Sequence, residues 1–418
     1  MATDSTGTDG AGRQRPIVIV GASLGGAKAA QALREAGFTG GIVLIGAEHE
    51  RPYERPPLSK GYLQGKSSRE KIYVHPPEWY AEHDVTLRLG TRVTAIHPAD
   101  RTVSLAADGE LAYSKLLLAT GSVPRRLPVP GADLAGVHYL RRVEDSDGLR
   151  KAFRPGARIV VIGAGWIGLE TAAAARSAGA GVTVLEAAEL PLLRVLGHEV
   201  AQVFADLHRD HGVDLRFEAK VAELTGTDGQ VTGVRLADGA TVPADAVVVG
   251  IGITPDTELA EAAGLEVENG IKTDEHLRTS DPDIHAAGDV ANAYHPLLGR
   301  HIRVEHWANA VNQPQTAARA MLGEDAVYDR VPYFFSDQYD LGLEYVGWVE
   351  PGGYDRVVFR GDPATREFIA FWLSEGKVLA GMNVNIWDVV DPIRTLIRSG
   401  RTVDTKALAD PEFPLGDL

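Results

Sequence analysis

The chain has 418 residues, 44% of them hydrophobic and 24% charged, which suits a globular protein long enough for two or three domains. Its formal net charge of −15 argues against nonspecific nucleic-acid binding, which needs cations to neutralise phosphates. Cysteine is absent, which excludes disulfides, thiolate nucleophiles, cysteine-ligated iron-sulfur clusters and redox dithiols.

In chain order, the opening stretch MATDSTGTDGAGRQRP has no apolar centre resembling a signal peptide. No apolar run approaches the ~18 to 20 residues that span a bilayer. The expectation is a cytoplasmic protein, with no membrane partner, carrying a disordered tail over residues 1–14.

Residues 17–20 form an apolar run, residues 21–26 read GASLGG, a helical Ala/Leu pattern continues to Ala36, and a second strand covers residues 42–45. Strand, glycine turn, helix and strand make one parallel unit with its crossover helix. The same order returns at 159–162, with GAGWIG at 163–168, a helix over 169–178 and a strand over 182–185 closed by Glu186. Two such units about 140 positions apart imply two nucleotide-binding halves rather than a short-period solenoid.

Two further strands, at 116–119 before Thr120-Gly121 and at 246–249 before Gly250-Ile251-Gly252, each deliver a loop to the ligand-binding edge of a sheet. From Tyr328 the pattern changes to short strands at 357–360, 367–373 and 377–382, joined by GDPAT and SEG turns, with a helix near 389–398. The predicted class is α/β, with two Rossmann-like dinucleotide-binding domains and an α+β C-terminal domain. The first dinucleotide domain is discontinuous, over 15–121 and 253–327; the second covers 122–252 and the C-terminal domain 328–418.

The second unit has the full G-x-G-x-x-G spacing at Gly163, Gly165 and Gly168. These supply the tight turn, close approach of backbone to a pyrophosphate, and helix packing. Unpaired amides at the helix start face the phosphates, with Trp166 and Ile167 in the loop before it counted among the NADH-binding residues, and Glu186 stands where a carboxylate accepts from a ribose diol. The first unit departs from this fingerprint, because Ser23 replaces the second glycine. Gly21, Gly25 and Gly26 remain, and Glu48 is the acid. HAAGDVA at 285–291 places Asp289 just after a glycine, where it is either a helix cap or a ligand for the ribityl hydroxyls of a flavin. With two dinucleotide folds present, FAD in the first half and NAD(P)H in the second is the better explanation.

At these residues the chain resembles the ferredoxin reductase family of two-dinucleotide-domain flavoproteins. It is also similar to reductase components of ring-hydroxylating dioxygenases and to apoptosis-inducing factor. The matching stretches are PYERPPLSK at 52–60, LLLATGSVPR at 116–125, VVIGAGWIGLE at 160–170, HAAGDVA, RVEHWANA at 303–310 and YFFSDQYD at 333–340. The resemblance implies that Lys60 lies beside the reactive nitrogen of the flavin, Arg55 near the FAD phosphates, and Val93 and Arg141 on the adenine side. Asp289, with Val290, takes the ribityl chain, while Trp307, Glu305 and His306 line the isoalloxazine and Ala119, Thr120 and Gly121 complete the FAD set. Glu170 approaches the nicotinamide, Glu186 and Arg194 hold the adenosine, and Gly250, Ile251 and Gly252 complete the NADH set. Lys60, Glu170 and Trp307 are the expected catalytic residues, and no metal is expected.

Without cysteine, electrons must leave the flavin for an outside acceptor. The resemblance implies a small iron-sulfur ferredoxin that supplies a haem monooxygenase or a dioxygenase. An NADH oxidase or quinone reductase, and a redox sensor similar to apoptosis-inducing factor, are the alternatives. An acidic ferredoxin would need a local basic patch on this acidic chain, for which Arg300, Arg303, Arg319 and Arg330 are the candidates.

Overall fold

Two apolar tetrads, Ile17–Val20 and Ile42–Ile45, are buried at every position, the pattern of strands covered on both faces. They form the middle of a parallel five-stranded sheet in the computed structural model, which describes residues 15–106 and 109–418. The tail expected over residues 1–14 lies outside the described residues. The chain divides into two compact units. Among the described residues, unit 1 is made of residues 15–54, 69–106, 109–123 and 254–330, and unit 2 of residues 55–68, 124–253 and 331–418.

In unit 1 the sheet order is Ile284–Ala286, Lys115–Leu118, Ile17–Val20, Ile42–Ile45, Val85–Arg88. The crossover helix Leu24–Glu35 packs on the helix Trp307–Met321. Gly25, Gly26, Ala29 and Ala30 are all buried on the first helix, so the approach is made through small residues. An antiparallel meander of Val93–His97, Thr102–Leu105 and Glu110–Ala112 belongs to the same unit.

Unit 2 repeats the plan. Its parallel sheet runs Asp214–Arg216, Gly181–Leu185, Arg158–Ile162, Ala246–Val249, Val137–His138. Its second sheet is antiparallel, in the order Tyr333–Gln338, Leu341–Gly347, Lys377–Val384, Glu367–Ser374, Arg356–Asp362. One apolar cluster joins the two, with Leu196, Phe204 and Val203 packed among Trp372, Phe368 and Met382. The Trp372 indole is fully buried and donates to Leu196 O at 3.1 Å.

The packing therefore groups the chain differently from the expected domain boundaries. Residues 55–68, read from the sequence as part of the flavin half, pack within unit 2. The C-terminal sheet shares a core with the second dinucleotide half. The helix expected from residue 169 begins at Trp166, and the sequence reading passed over the helix Leu193–Asp210.

Two fully buried histidines tie stability to pH. Burial pushes His208 down to about 4 and His285 down to about 3, from 6.5 in the unfolded chain. The unfolded chain thus takes up protons first as pH falls, so the stability held above pH 6.5 is lost toward pH 4. The loss is about 1.4 kcal/mol per pH unit for each histidine. The thermal midpoint should fall across this window, and less steeply in His285→Leu; equal slopes would discard the assignment.

Candidate functional site

Both glycine loops are shaped by contacts that leave no room for a side chain. In unit 1, Gly21 has φ 118°, and a Cβ there would stand 2.1 Å from Ala119 O; one at Gly26 would stand 2.1 Å from Gly21 O. In unit 2, a Cβ on Gly163 would lie 2.4 Å from Gly250 O, and one on Gly168 would lie 2.0 Å from Gly163 O. Gly165 differs, since nothing lies within 4 Å of its Cβ position. As the N-cap of the helix Trp166–Ser177, it opens free space where the first helical amides point. A dinucleotide pyrophosphate fits that arrangement. In unit 1, Ser23 is the N-cap of Leu24–Glu35 but its hydroxyl makes no capping bond, so the helix amides stay available to an anion.

The flavin residues implied by the sequence divide between the units. Unit 1 holds Gly21, Ser23, Gly25, Gly26, Glu48, Val93, Ala119, Thr120, Gly121, Asp289, Val290, Glu305, His306 and Trp307; unit 2 holds Arg55, Lys60 and Arg141. Glu48 accepts from the Tyr53 hydroxyl at 2.5 Å. Thr120 Oγ1 donates to Asp256 O at 2.7 Å, and Asp256 N donates back to Gly121 O at 2.9 Å. Val93 and Val290 are buried in an apolar cluster, which leaves only their backbone for a ligand.

Asp289 follows Gly288, at φ 83° with nothing within 4 Å of a Cβ position, so the turn there is also open. His306 caps the helix that begins at Trp307. Burial pushes His306 down to about 4, while the charge of Asp289 pulls it up. Arg303 ties the two segments together, pairing with Glu305 at 2.5 Å and donating to Asp289 O at 3.4 Å. This corrects the docking patch, because the Arg303 side chain is only 9% exposed and acts inside unit 1. Arg319 is tied to Glu324 at 2.6 Å, while Arg300 and Arg330 are exposed.

Unit 2 gathers the other reactive groups. Glu170 sits one turn into the helix Trp166–Ser177 and is 3% exposed. Lys60 Nζ lies 2.7 Å from its Oε2. Ser59 Oγ donates to the same oxygen at 2.5 Å, and Ser336 Oγ donates to Oε1 at 2.6 Å. Pro56 and Pro57 start the short turn that ends at Ser59, and their fixed φ presents Ser59 and Lys60 together. The ammonium also lies 5.6 Å from the centre of the Phe335 ring. Desolvation pushes the Asp337 carboxyl up, with Lys60 opposing and Glu170 adding to the rise.

Glu186 is held by the loop itself. Its Oε2 accepts from Ala164 N at 2.6 Å and its Oε1 from Ala188 N at 2.8 Å. Trp166 packs edge-on against Phe204 and Phe334, at 5.6 and 5.0 Å between ring centres, and so serves the core. Ile167 is 42% exposed, and Arg194 is exposed at the start of Leu193–Asp210. Gly250 N donates to Ile162 O at 2.8 Å, with Ile251 and Gly252 following at the sheet edge. Arg55 donates to Arg141 O, and Asp145 accepts from Arg141 N at 2.9 Å.

Sequence reasoning missed Ser59 and Ser336 as partners of Glu170. The signal for Ser336 was present, because strand alternation over YFFSDQ puts Phe334, Ser336 and Gln338 on one face.

Comparison with known proteins gives two family matches, pyridine nucleotide-disulphide oxidoreductase over residues 15–314 and reductase C-terminal over residues 333–418. The chain is 42% identical to the 5,5'-dehydrodivanillate O-demethylase ferredoxin reductase subunit of a Sphingobium species, over 96% of this chain and 97% of that protein. It is 40% identical to putidaredoxin reductase of Pseudomonas putida, over 96% of each. Its fold matches the reductase of the covalent putidaredoxin reductase–putidaredoxin complex with a TM-score of 0.94 and 40% identity, over 97% of this chain and 98% of that one.

Two of the three loop glycines of unit 2 separate stability from binding. Gly168→Ala forces a methyl onto Gly163 O and should lower stability by roughly 1–3 kcal/mol, read by thermal denaturation. Gly165→Ala places its methyl in open space and should leave the thermal midpoint unchanged while weakening NADH affinity about tenfold or more in a binding titration.

Proposed function

Because the chain belongs to the pyridine nucleotide-disulphide oxidoreductase family and is a ferredoxin reductase within it, we propose which of its residues carry the reaction and which nucleotide they prefer. The enzyme passes electrons from a nicotinamide nucleotide through FAD to a small iron-sulfur ferredoxin, which supplies an oxygenase. The observation that carries this reading is the absence of cysteine from a chain whose family is named for disulphide chemistry. With no dithiol of its own, the protein must release electrons to an external acceptor. FAD supplies acceptance of a hydride and release of single electrons.

The residues divide the work. Gly21, Ser23, Gly25 and Gly26 present helix amides to the FAD phosphates, and Asp289 accepts from the ribityl hydroxyls. His306 and Trp307 begin the helix assigned to the flavin ring, where a neutral imidazole keeps added positive charge away. Gly163, Gly165 and Gly168 cradle the nicotinamide nucleotide. Lys60 Nζ, anchored by Glu170, is the fixed positive charge that stabilises negative charge developing as hydride is delivered. A cytoplasmic location belongs to the same proposal, supported by the nicotinamide nucleotide on which the enzyme draws. Among the described residues no helix is long and apolar enough to cross a membrane.

Turnover with ferredoxin, quinone and oxygen, measured in parallel with NADH, tests the acceptor. Ferredoxin should be reduced at least tenfold faster than the other two. A quinone reductase would invert that order, and a redox sensor would be slow with all three.

Glu186 sets the donor. Its carboxylate is pinned by two backbone amides, and Ala187-Ala188-Glu189 offers no arginine for a 2′-phosphate. Repulsion between like charges at ~4 Å is ~4 kcal/mol at an effective dielectric of ~20. Solvent and salt reduce this to ~1–3 kcal/mol, a preference for NADH of roughly tenfold to a hundredfold. The kcat/KM ratio for NADH over NADPH should lie in that range and shrink in Glu186→Gln; a ratio near one in the unaltered enzyme would refute the assignment.

A further inference from the structure

Glu170 Oε1 ends a longer line of side chains, all within unit 2. Gln338 Nε2 lies 3.3 Å from Ser336 Oγ, Gln338 Oε1 lies 2.9 Å from His208 Nε2, and the Tyr339 hydroxyl lies 3.4 Å from His208 Nδ1. Ser336 and Gln338 are 1% exposed and His208 is fully buried. Every link in such a line has two readings until one end is fixed. Glu170, paired with the Lys60 ammonium, fixes it, because each of its oxygens is an acceptor.

The consequences run outward in order. Ser336 has one proton and must give it to Glu170, so its lone pairs face Gln338. Gln338 then presents its amide nitrogen to Ser336 and its oxygen to His208. The imidazole must carry its proton on Nε2 and leave Nδ1 to accept from the Tyr339 hydroxyl. The next groups lie beyond Tyr339, where His211 stacks on its ring at 3.7 Å and faces Asp340 at 3.8 Å. Burial keeps His208 neutral, with its pKa down at about 4, so the line persists through the neutral range.

We propose that Gln338 and His208 are positioning residues for the Lys60–Glu170 pair, committing the only proton of Ser336 to Glu170 and so holding the carboxylate in the rotamer that reaches Lys60 and Ser59. A carboxamide does not relay protons, so the line sets polarity rather than conducting. The polarity rests on these distances alone; its catalytic consequence rests on the role given above to Lys60 and Glu170.

The test reads the tautomer of His208 in holoenzyme carrying isotope-labelled histidine, by long-range proton–nitrogen correlation at neutral pH, with the His208 signals identified by their loss in His208→Asn. The unaltered enzyme should show the proton on Nε2. In Glu170→Gln the new oxygen stays with Lys60 and Ser59 and the new amide nitrogen faces Ser336, so the whole line reverses and the proton of His208 moves to Nδ1. Packing alone would not produce that switch. Gln338→Met keeps the volume but releases Ser336, and should slow flavin reduction by NADH roughly three- to tenfold with the Kd for NADH unchanged. A proton on Nδ1 in the unaltered enzyme, or no switch in Glu170→Gln, overturns the polarity. A Gln338→Met enzyme reduced at the normal rate overturns the positioning role. Flavin reduction at the normal rate in Glu170→Gln discards the role of the ion pair itself, whatever the tautomer does. If Glu170→Gln does not fold, the tautomer of the unaltered enzyme and the rate of Gln338→Met decide.

Discussion

A carboxylate that is 3% exposed has lost its water, and Glu170 recovers it from three side chains that come from two distant stretches of the chain. Lys60 brings the opposite charge, and Ser59 and Ser336 bring hydroxyl donors. Burying an ion pair gives little net stability, yet removing one partner typically costs about 3–5 kcal/mol because the other charge is stranded. The pair therefore constrains everything that delivers its parts. The diproline turn at Pro56 and Pro57, the first turns of the helix from Trp166 and the edge strand Tyr333–Gln338 have to arrive together or not at all. This gives a physical reason for residues 55–68 to leave unit 1 and pack in unit 2.

The glycine loops solve a different problem, since they place backbone rather than charge. Their tightest contacts are carbonyl oxygens 2.0 to 2.4 Å from where a side chain would begin, so the turn is closed from within by its own main chain. Only Gly165 looks outward. Glu186 reinforces this loop by accepting from Ala164 N, so the residue that would face a ribose is also a structural part of the cradle. Recognition and loop geometry are thereby coupled, and an acid of different length at this position would disturb both.

The parallel sheets could be read directly from the residues because their central strands are apolar at every position and are followed at once by glycine. Period and punctuation agreed there, as at Ile17–Val20 and Ala246–Val249. The helix from Trp166 began three residues earlier than expected, since Trp166 and Ile167 were read as loop although the N-cap is Gly165. The partners of Glu170 were hidden for another reason. Ser59 and Ser336 lie 111 and 166 positions from it, and no local pattern reports which buried acid a serine will meet. The basic patch failed similarly at Arg303, whose partners Glu305 and Asp289 are visible only once the turn after Gly288 is folded.

The grouping of segments has a consequence for how the protein is made. The chain passes from one unit to the other at 54/55, 68/69, 123/124, 253/254 and 330/331, so neither unit is a continuous stretch. On the ribosome, the sheet of unit 1 lacks its edge strand Ile284–Ala286 until more than two thirds of the chain has emerged, and Glu170 waits for Ser336 still longer. Contacts of such long sequence separation are slow to form because the intervening loops must close first. The apolar strand Lys115–Leu118 spends that interval without its final neighbour Ile284–Ala286, and unpaired apolar strand surface of that kind is what makes folding intermediates prone to aggregate while a chain is being made.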